Sequence, residues 1–114
     1  MIDSKKIEQQ LADISKKFNI ENDLIHFLFF IGIQESGLGF REFTKDEKTD
    51  LIELGGATVL APQGFYKKID TDNPVPYYVV DPEKKIPEGH QRELLLKQGI
   101  VAYFENHTHE ISSS

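Results

Sequence analysis

One apolar run constrains the fold of this chain more than any other feature. Residues 23–37 read DLIHFLFFIGIQESG, in which large apolar side chains are interrupted only by His26 and Gly32. A membrane-spanning helix needs about 20 apolar residues, so the run is too short to cross a bilayer. A segment that is apolar on all sides belongs in a core or across a subunit interface. We therefore expect this run to form the centre of the fold.

The residues that flank the run favour a helix over a buried strand, although apolar periodicity alone does not separate the two. Asn22 is a suitable N-cap, and Asp23 suits the positive end of the helix dipole. Gly37 is well placed to end the helix in a left-handed conformation. We interpret His26 as a hydrogen-bonded histidine of the core.

Two further helices are predicted before the middle of the chain. Apolar residues recur at steps of four, three and four in residues 4–18, which predicts an amphipathic helix that packs as a hairpin on the apolar run. Thr44 and Glu47 form a capping box, which marks the start of a helix over residues 44–61. Gly55 and Gly56 suit a close approach of another helix, but residues 51–60 could also be two strands joined by a glycine turn.

The second half of the chain predicts a β-hairpin and a last helix. Residues 65–70 and 75–81 are rich in β-branched and aromatic side chains, and turn-forming residues separate them. A last helix is predicted from about Pro87 or Gly89 to Asn106, with a broad apolar face that includes Tyr103 and Phe104. We expect one compact, mainly helical α+β domain over residues 1–106, with about four helices around the apolar run and one hairpin, and a polar, flexible tail over residues 107–114.

Composition excludes some classes of function. The 114 residues carry a net charge of −6 and contain no cysteine, which excludes disulfides and thiolate metal sites. An acidic chain has no global attraction for nucleic acid or for anionic lipid, so neither a nucleic-acid partner nor a membrane is expected. We expect a cytoplasmic protein without a cofactor, a metal or a catalytic residue.

The end of the apolar run suggests one alternative function. Residues 31–37 read IGIQESG, and an apolar helix that closes in Gln-Glu-Ser-Gly resembles the catalytic helix end of lysozyme-like lytic transglycosylases. The resemblance implies that Glu35 is the general acid of a glycosidase. A carboxyl group at the negative end of a helix dipole favours its protonated form, as a general acid requires. Residues 55–60 match the downstream Gly-Leu-Met-Gln-type motif of that family poorly, and the chain has no tryptophan to stack on a sugar.

A second alternative follows from the order of the elements. Three helices followed by a hairpin resemble a winged-helix DNA-binding domain in outline, with Lys67 and Lys68 on the wing and residues 44–61 as the recognition helix. That helix is net acidic, so DNA phosphates would be repelled. In the tail, His107 and His109 are spaced as two metal ligands could be, but two ligands do not close a site.

The predicted hairpin supplies the candidate binding residues. Neighbouring strand residues face opposite ways, so each aromatic pair turns one ring inward and one outward. Tyr66, Lys68 and Tyr78 are predicted to form an outward-facing partner-binding patch, since tyrosine is enriched at protein interfaces. The alternative is that the aromatic rings only pack the two sides of the hairpin. We expect a non-enzymatic protein-interaction or accessory module that binds a protein partner or associates with itself.

Overall fold

The apolar run forms a helix that contributes several of the most buried side chains of the core and packs most extensively on the third helix of the chain. The computed structural model describes residues 4–72 and 75–112, with the side chains of 108–112 excepted. Within that part of the chain the fold is a small α+β domain, as predicted. Its elements in chain order are α1 (Ser4–Phe18), α2 (Leu24–Ser36), α3 (Lys45–Leu60), a 3-10 helix (Ala61–Gln63), β1 (Tyr66–Ile69), β2 (Tyr77–Val80) and α4 (Gly89–Ser112).

The caps of α2 and α3 show why these helices begin and end where they do. Asp23, not Asn22, is the N-cap of α2, and its carboxylate accepts a hydrogen bond from the Ile25 backbone N–H at 3.0 Å. Gly37 ends the helix at φ 71°, as predicted, and its N–H donates to the Ile33 carbonyl. The capping box of Thr44 is also confirmed.

Two glycines let α2 and α3 approach at backbone distance. A Cβ atom built on Gly32 would lie 2.0 Å from the Leu51 carbonyl oxygen, and one built on Gly55 would lie 2.0 Å from the Leu28 carbonyl oxygen. The prediction of a close helix approach is therefore confirmed at Gly55 and wrong at Gly56, where a Cβ atom would meet no other element within 4 Å. Because α3 is continuous across both positions, the alternative of two strands is also wrong.

The predicted hairpin between α1 and the apolar run is wrong, because α1 packs mainly along α4. The Lys97 ammonium lies 2.6 Å from the Glu8 carboxylate, and the Gln10 amide donates to Glu105 at 3.1 Å. Both pairs advance along the two helices in the same direction, so α1 and α4 are parallel. Apolar side chains of both helices meet α2 in the core, whose largest fully buried members include Leu11, Phe27, Ile31, Ile100 and Phe104.

The hairpin pairs β1 with β2 antiparallel, which confirms the predicted strands. Tyr66 lies opposite Val80, and Lys68 lies opposite Tyr78. Tyr66 packs against the core cluster, so this face of the hairpin is turned toward the helices. Tyr77 is on the other face and is 57% exposed.

Two further expectations differ from the structure. His26 is exposed and lies 3.3 Å from a Glu21 carboxylate oxygen, so it is not a core histidine. The backbone of α4 continues to Ser112, six residues beyond the predicted end at Asn106. None of the helices in the described ranges is long and apolar enough to cross a membrane.

Candidate functional site

An open cleft of about 790 Å³ lies between the hairpin and the last helix. The size is typical of sites for small ligands or short peptide segments. Its walls come from β1, β2 and α4, its base comes from the end of α3 and the 3-10 helix, and the end of α2 contributes one side chain. The side chains used below are those of Glu35, Tyr66, Lys67, Lys68, Tyr78, Tyr103 and His107.

The hairpin wall holds the three residues predicted to bind a partner. Tyr66 and Lys68 are two residues apart on β1, and Tyr78 lies directly opposite Lys68 on β2. Side chains in these positions share one face of a sheet. That face is turned toward the cleft rather than outward as predicted: both tyrosines are half-buried, and Lys68 is exposed. The structure therefore brings the three residues together.

Glu35 lines the same cleft, where a long-range hydrogen bond holds its carboxylate. The hydroxyl of Tyr103 donates to Glu35 Oε2 at 3.0 Å, across 68 residues of sequence. Glu35 is half-buried, whereas Tyr103 is only 7% exposed. The bond joins the C-terminal end of α2 to α4, so it fixes the position of the carboxylate at the cleft.

His107 completes this side of the cleft through its ring nitrogen and its ring face. Its Nδ1 lies 2.8 Å from the Tyr103 carbonyl oxygen, and its ring stacks on that of Tyr103 with centroids 4.3 Å apart. A carbonyl oxygen only accepts, so Nδ1 carries the proton of the neutral ring and Nε2 remains an acceptor. Sequence spacing had suggested His107 as a metal ligand together with His109, whose side chain lies outside the described residues.

The side chains that line the cleft are suited to recognising charged groups. Glu35 is the one carboxylate among the described lining residues, and Lys67 and Lys68 are the ammonium groups. Most glycosidases use a pair of carboxyl groups about 5 to 9.5 Å apart, and this lining does not supply the second. No group of three or more histidine, aspartate or glutamate side chains in the described ranges could hold a metal ion.

A second groove, of about 880 Å³, lies on the other flank of the hairpin. Tyr66 and Tyr78 line both openings, so the two rings separate the cleft from the second groove. Ile25 and Tyr77 are the most exposed apolar side chains of its lining, at 53% and 57%. The hairpin therefore crosses the helices with an opening on each side.

Sequence reasoning missed two parts of the site. Tyr103 was identified only as an apolar position of the last helix, because nothing local indicates a contact with a residue 68 positions away. The stacking of His107 was missed because residues 107–114 were predicted to lie outside the globular part. Tyr103 and His107 are four residues apart, and residues at that spacing are neighbours on the surface of a helix. This spacing is the one signal that could have indicated their contact, had the helix been predicted to continue past Asn106.

Comparisons with known proteins add no family to this geometry. No protein-family model matches the chain, and no curated protein sequence or solved structure gives a significant match.

Proposed function

We propose that this protein is an interaction module that binds a segment of a partner protein in the cleft beneath its hairpin. The observation that supports this proposal best is the convergence of Tyr66, Lys68 and Tyr78 on one hairpin face that lines an open cleft. Tyrosine offers a large contact area with a polar end, as interface residues commonly do. The lysines of the hairpin wall favour acidic side chains in the bound segment.

A capture experiment with matched charge variants tests the proposal. The tagged protein is used to capture partners from cells that naturally make it, and bound proteins are quantified by mass spectrometry. Lys68→Glu reverses a charge in the cleft, whereas Lys85→Glu makes the same change at an exposed residue outside the cleft lining. We expect the captured partner to be lost with Lys68→Glu and retained with Lys85→Glu.

Equal capture by both variants would contradict the proposal, as would the absence of any protein enriched over bare resin. Circular dichroism of each variant provides the control for folding. Both positions are exposed, so we expect the spectra and the melting temperatures to match those of the wild type.

Glu35 supports a second candidate function, the lysozyme-like glycosidase, because its carboxylate lines the cleft. In that case Glu35 would donate a proton to the glycosidic oxygen. Purified protein would release soluble fragments from peptidoglycan, and Glu35→Gln would abolish the release. Absence of release by the wild type would eliminate this candidate, and the single carboxylate of the described lining already weighs against it.

A further inference from the structure

Glu35 presents a carboxylate that has no cationic partner within the described part of the chain. It is half-buried, and each ion pair found among the described residues joins other side chains. The Tyr103 hydroxyl satisfies one direction of Oε2. A carboxylate offers about four lone-pair directions, so most of its capacity to accept hydrogen bonds faces the cleft or solvent.

The side chain of His107 adds a second acceptor to the lining of the same cleft. Its Nδ1–H is directed to the Tyr103 carbonyl oxygen, which leaves Nε2 to accept. The stacked ring of Tyr103 holds the imidazole plane, with an angle of 20° between the rings. Glu35 and His107 therefore offer acceptors whose positions are fixed by one buried phenol.

We propose that Glu35, Tyr103 and His107 form a receptor for a cationic side chain, arginine foremost, and we call them the acceptor cluster. The planar guanidinium has five donors and pairs with a carboxylate through two parallel hydrogen bonds. Its remaining N–H groups can donate to Nε2 of His107, whose lone pair lies in the plane of the imidazole. A charged donor is the group that best compensates a half-buried carboxylate for its lost water.

This inference rests on the proposed function for one point, that the ligand is part of a protein segment. The hairpin lysines and the acceptor cluster belong to different elements of the same cleft. The segment that fits both carries an arginine for the acceptor cluster and acidic side chains for the lysines. The expected partner motif therefore has mixed charge rather than being purely acidic.

A titration with two matched probes tests the acceptor cluster directly. N-acetyl-L-arginine amide is added to the full chain, and the imidazole signals of His107 and the side-chain carboxyl signal of Glu35 are followed by NMR. The control probe is N-acetyl-L-citrulline amide, which has nearly the same shape but no charge. We expect saturable shifts with the arginine probe, and binding about tenfold or more weaker for the citrulline probe and for Glu35→Gln, because a charge-assisted hydrogen bond is lost.

Three outcomes would overturn the acceptor cluster: no saturable shift up to the solubility limit, equal shifts with both probes, or unchanged binding in Glu35→Gln. Tyr103→Phe keeps the ring and removes the hydroxyl, so it should weaken binding while His107 stays stacked. Failure of the proposed function is seen separately with the probe acetyl-Glu-Glu-Glu-amide. If Lys68→Glu does not change the binding of this probe while the arginine probe still binds, the proposed binding role of the hairpin surface is wrong and that of the acceptor cluster is retained.

Discussion

Gly32 and Gly55 are two of the residues at which a single added carbon atom conflicts with the fold. Each faces a carbonyl oxygen of the opposite helix at a distance that no Cβ atom can occupy. Glycine inside a helix costs about 1 kcal/mol against alanine. The close packing of α2 on α3 offsets that cost, because dense contacts between two backbones add dispersion energy along the whole interface.

We expect opposite effects on stability from alanine at two neighbouring glycines. Gly55→Ala places a methyl group against the Leu28 carbonyl and should lower the free energy of unfolding by about 1 to 3 kcal/mol or more. Gly56→Ala meets open space and should raise it by roughly 0.5 to 1 kcal/mol. Urea denaturation measures both, and equal effects of the two substitutions would contradict the packing described here.

At the residue scale, sequence patterns identified the helix caps and other features that depend on residues adjacent in the chain. The left-handed Gly37 and the capping box of Thr44 are local features, and both were predicted. The N-cap of α2 was misplaced by one residue because Asn22 and Asp23 are equally good caps, and only the backbone conformation selects Asp23. His26 was misplaced because its apolar neighbours hide which side of the helix faces water.

Among the elements, the start of α3 depends on two reciprocal hydrogen bonds. The Thr44 backbone N–H donates to Glu47 at 2.9 Å, and the Glu47 N–H donates to the Thr44 hydroxyl oxygen at 3.2 Å. The pKa of Glu47 is lowered, first by the hydrogen bond from the Thr44 backbone and further by the charge of Arg41. A carboxylate whose pKa falls on folding binds fewer protons in the folded state, so it stabilises that state when ionised.

The contribution of Glu47 to stability should therefore depend on pH. It should be fully present above the ordinary pKa of glutamate and should be lost as the pH falls through the lowered pKa of the folded state. Melting temperatures of the wild type and of Glu47→Gln, compared from about pH 7 to about pH 3, measure this contribution. We expect the advantage of the wild type to shrink toward low pH, and a constant difference would contradict the assignment.

The packing partners of the elements were harder to predict than the elements themselves. Periodicity gives α1 an apolar stripe, but it does not state which helix covers that stripe. The connection of residues 19–22 is short enough for a helical hairpin. Nevertheless α1 packs on α4, where Lys97 pairs with Glu8 and the Phe104 ring contacts the Phe18 ring. The pKa of Lys97 is raised, chiefly by its hydrogen bond to Glu8, in keeping with this contact.

For the whole molecule, the apolar character of α2 leaves part of its neighbourhood exposed. Leu38 and Phe40, in the loop that follows α2, are 50% and 68% exposed. Phe40 contacts the Phe30 ring but remains mostly in solvent. Contiguous patches of exposed apolar surface are typical of surfaces that bind protein, and this loop supplies two large exposed apolar side chains.

We expect the protein to form a homodimer through this loop. Light scattering over a range of concentrations should show a dimer for the wild type and a monomer for the double variant Leu38→Ser, Phe40→Ser. Val80→Ser is the matched control, because Val80 is also 50% exposed but belongs to the hairpin. A wild type that stays monomeric at high concentration, or a dimer that the double variant retains, would contradict self-association through this surface.

Fold class was predictable at this scale, whereas the site was predictable only in part. Helix and strand patterns depend on short stretches of sequence, so the α+β class could be predicted from them. The cleft needs contacts between residues far apart, such as Glu35 with Tyr103, and no local pattern encodes those. Tyr66, Lys68 and Tyr78 were grouped correctly because strand pairing is nearly local, although the direction of their face was not.

The parallel packing of α1 on α4 has a consequence for how the chain is made. Among the described elements, α1 emerges from the ribosome first and α4 emerges last. Domains fold as units during synthesis, and a helix with an uncovered apolar stripe is prone to aggregate. The contacts between α2 and α3 involve no residue of α4, whereas the apolar stripe of α1 packs mainly on α4. The nascent chain therefore completes the core described here, and with it the cleft, only after α4 has been synthesised.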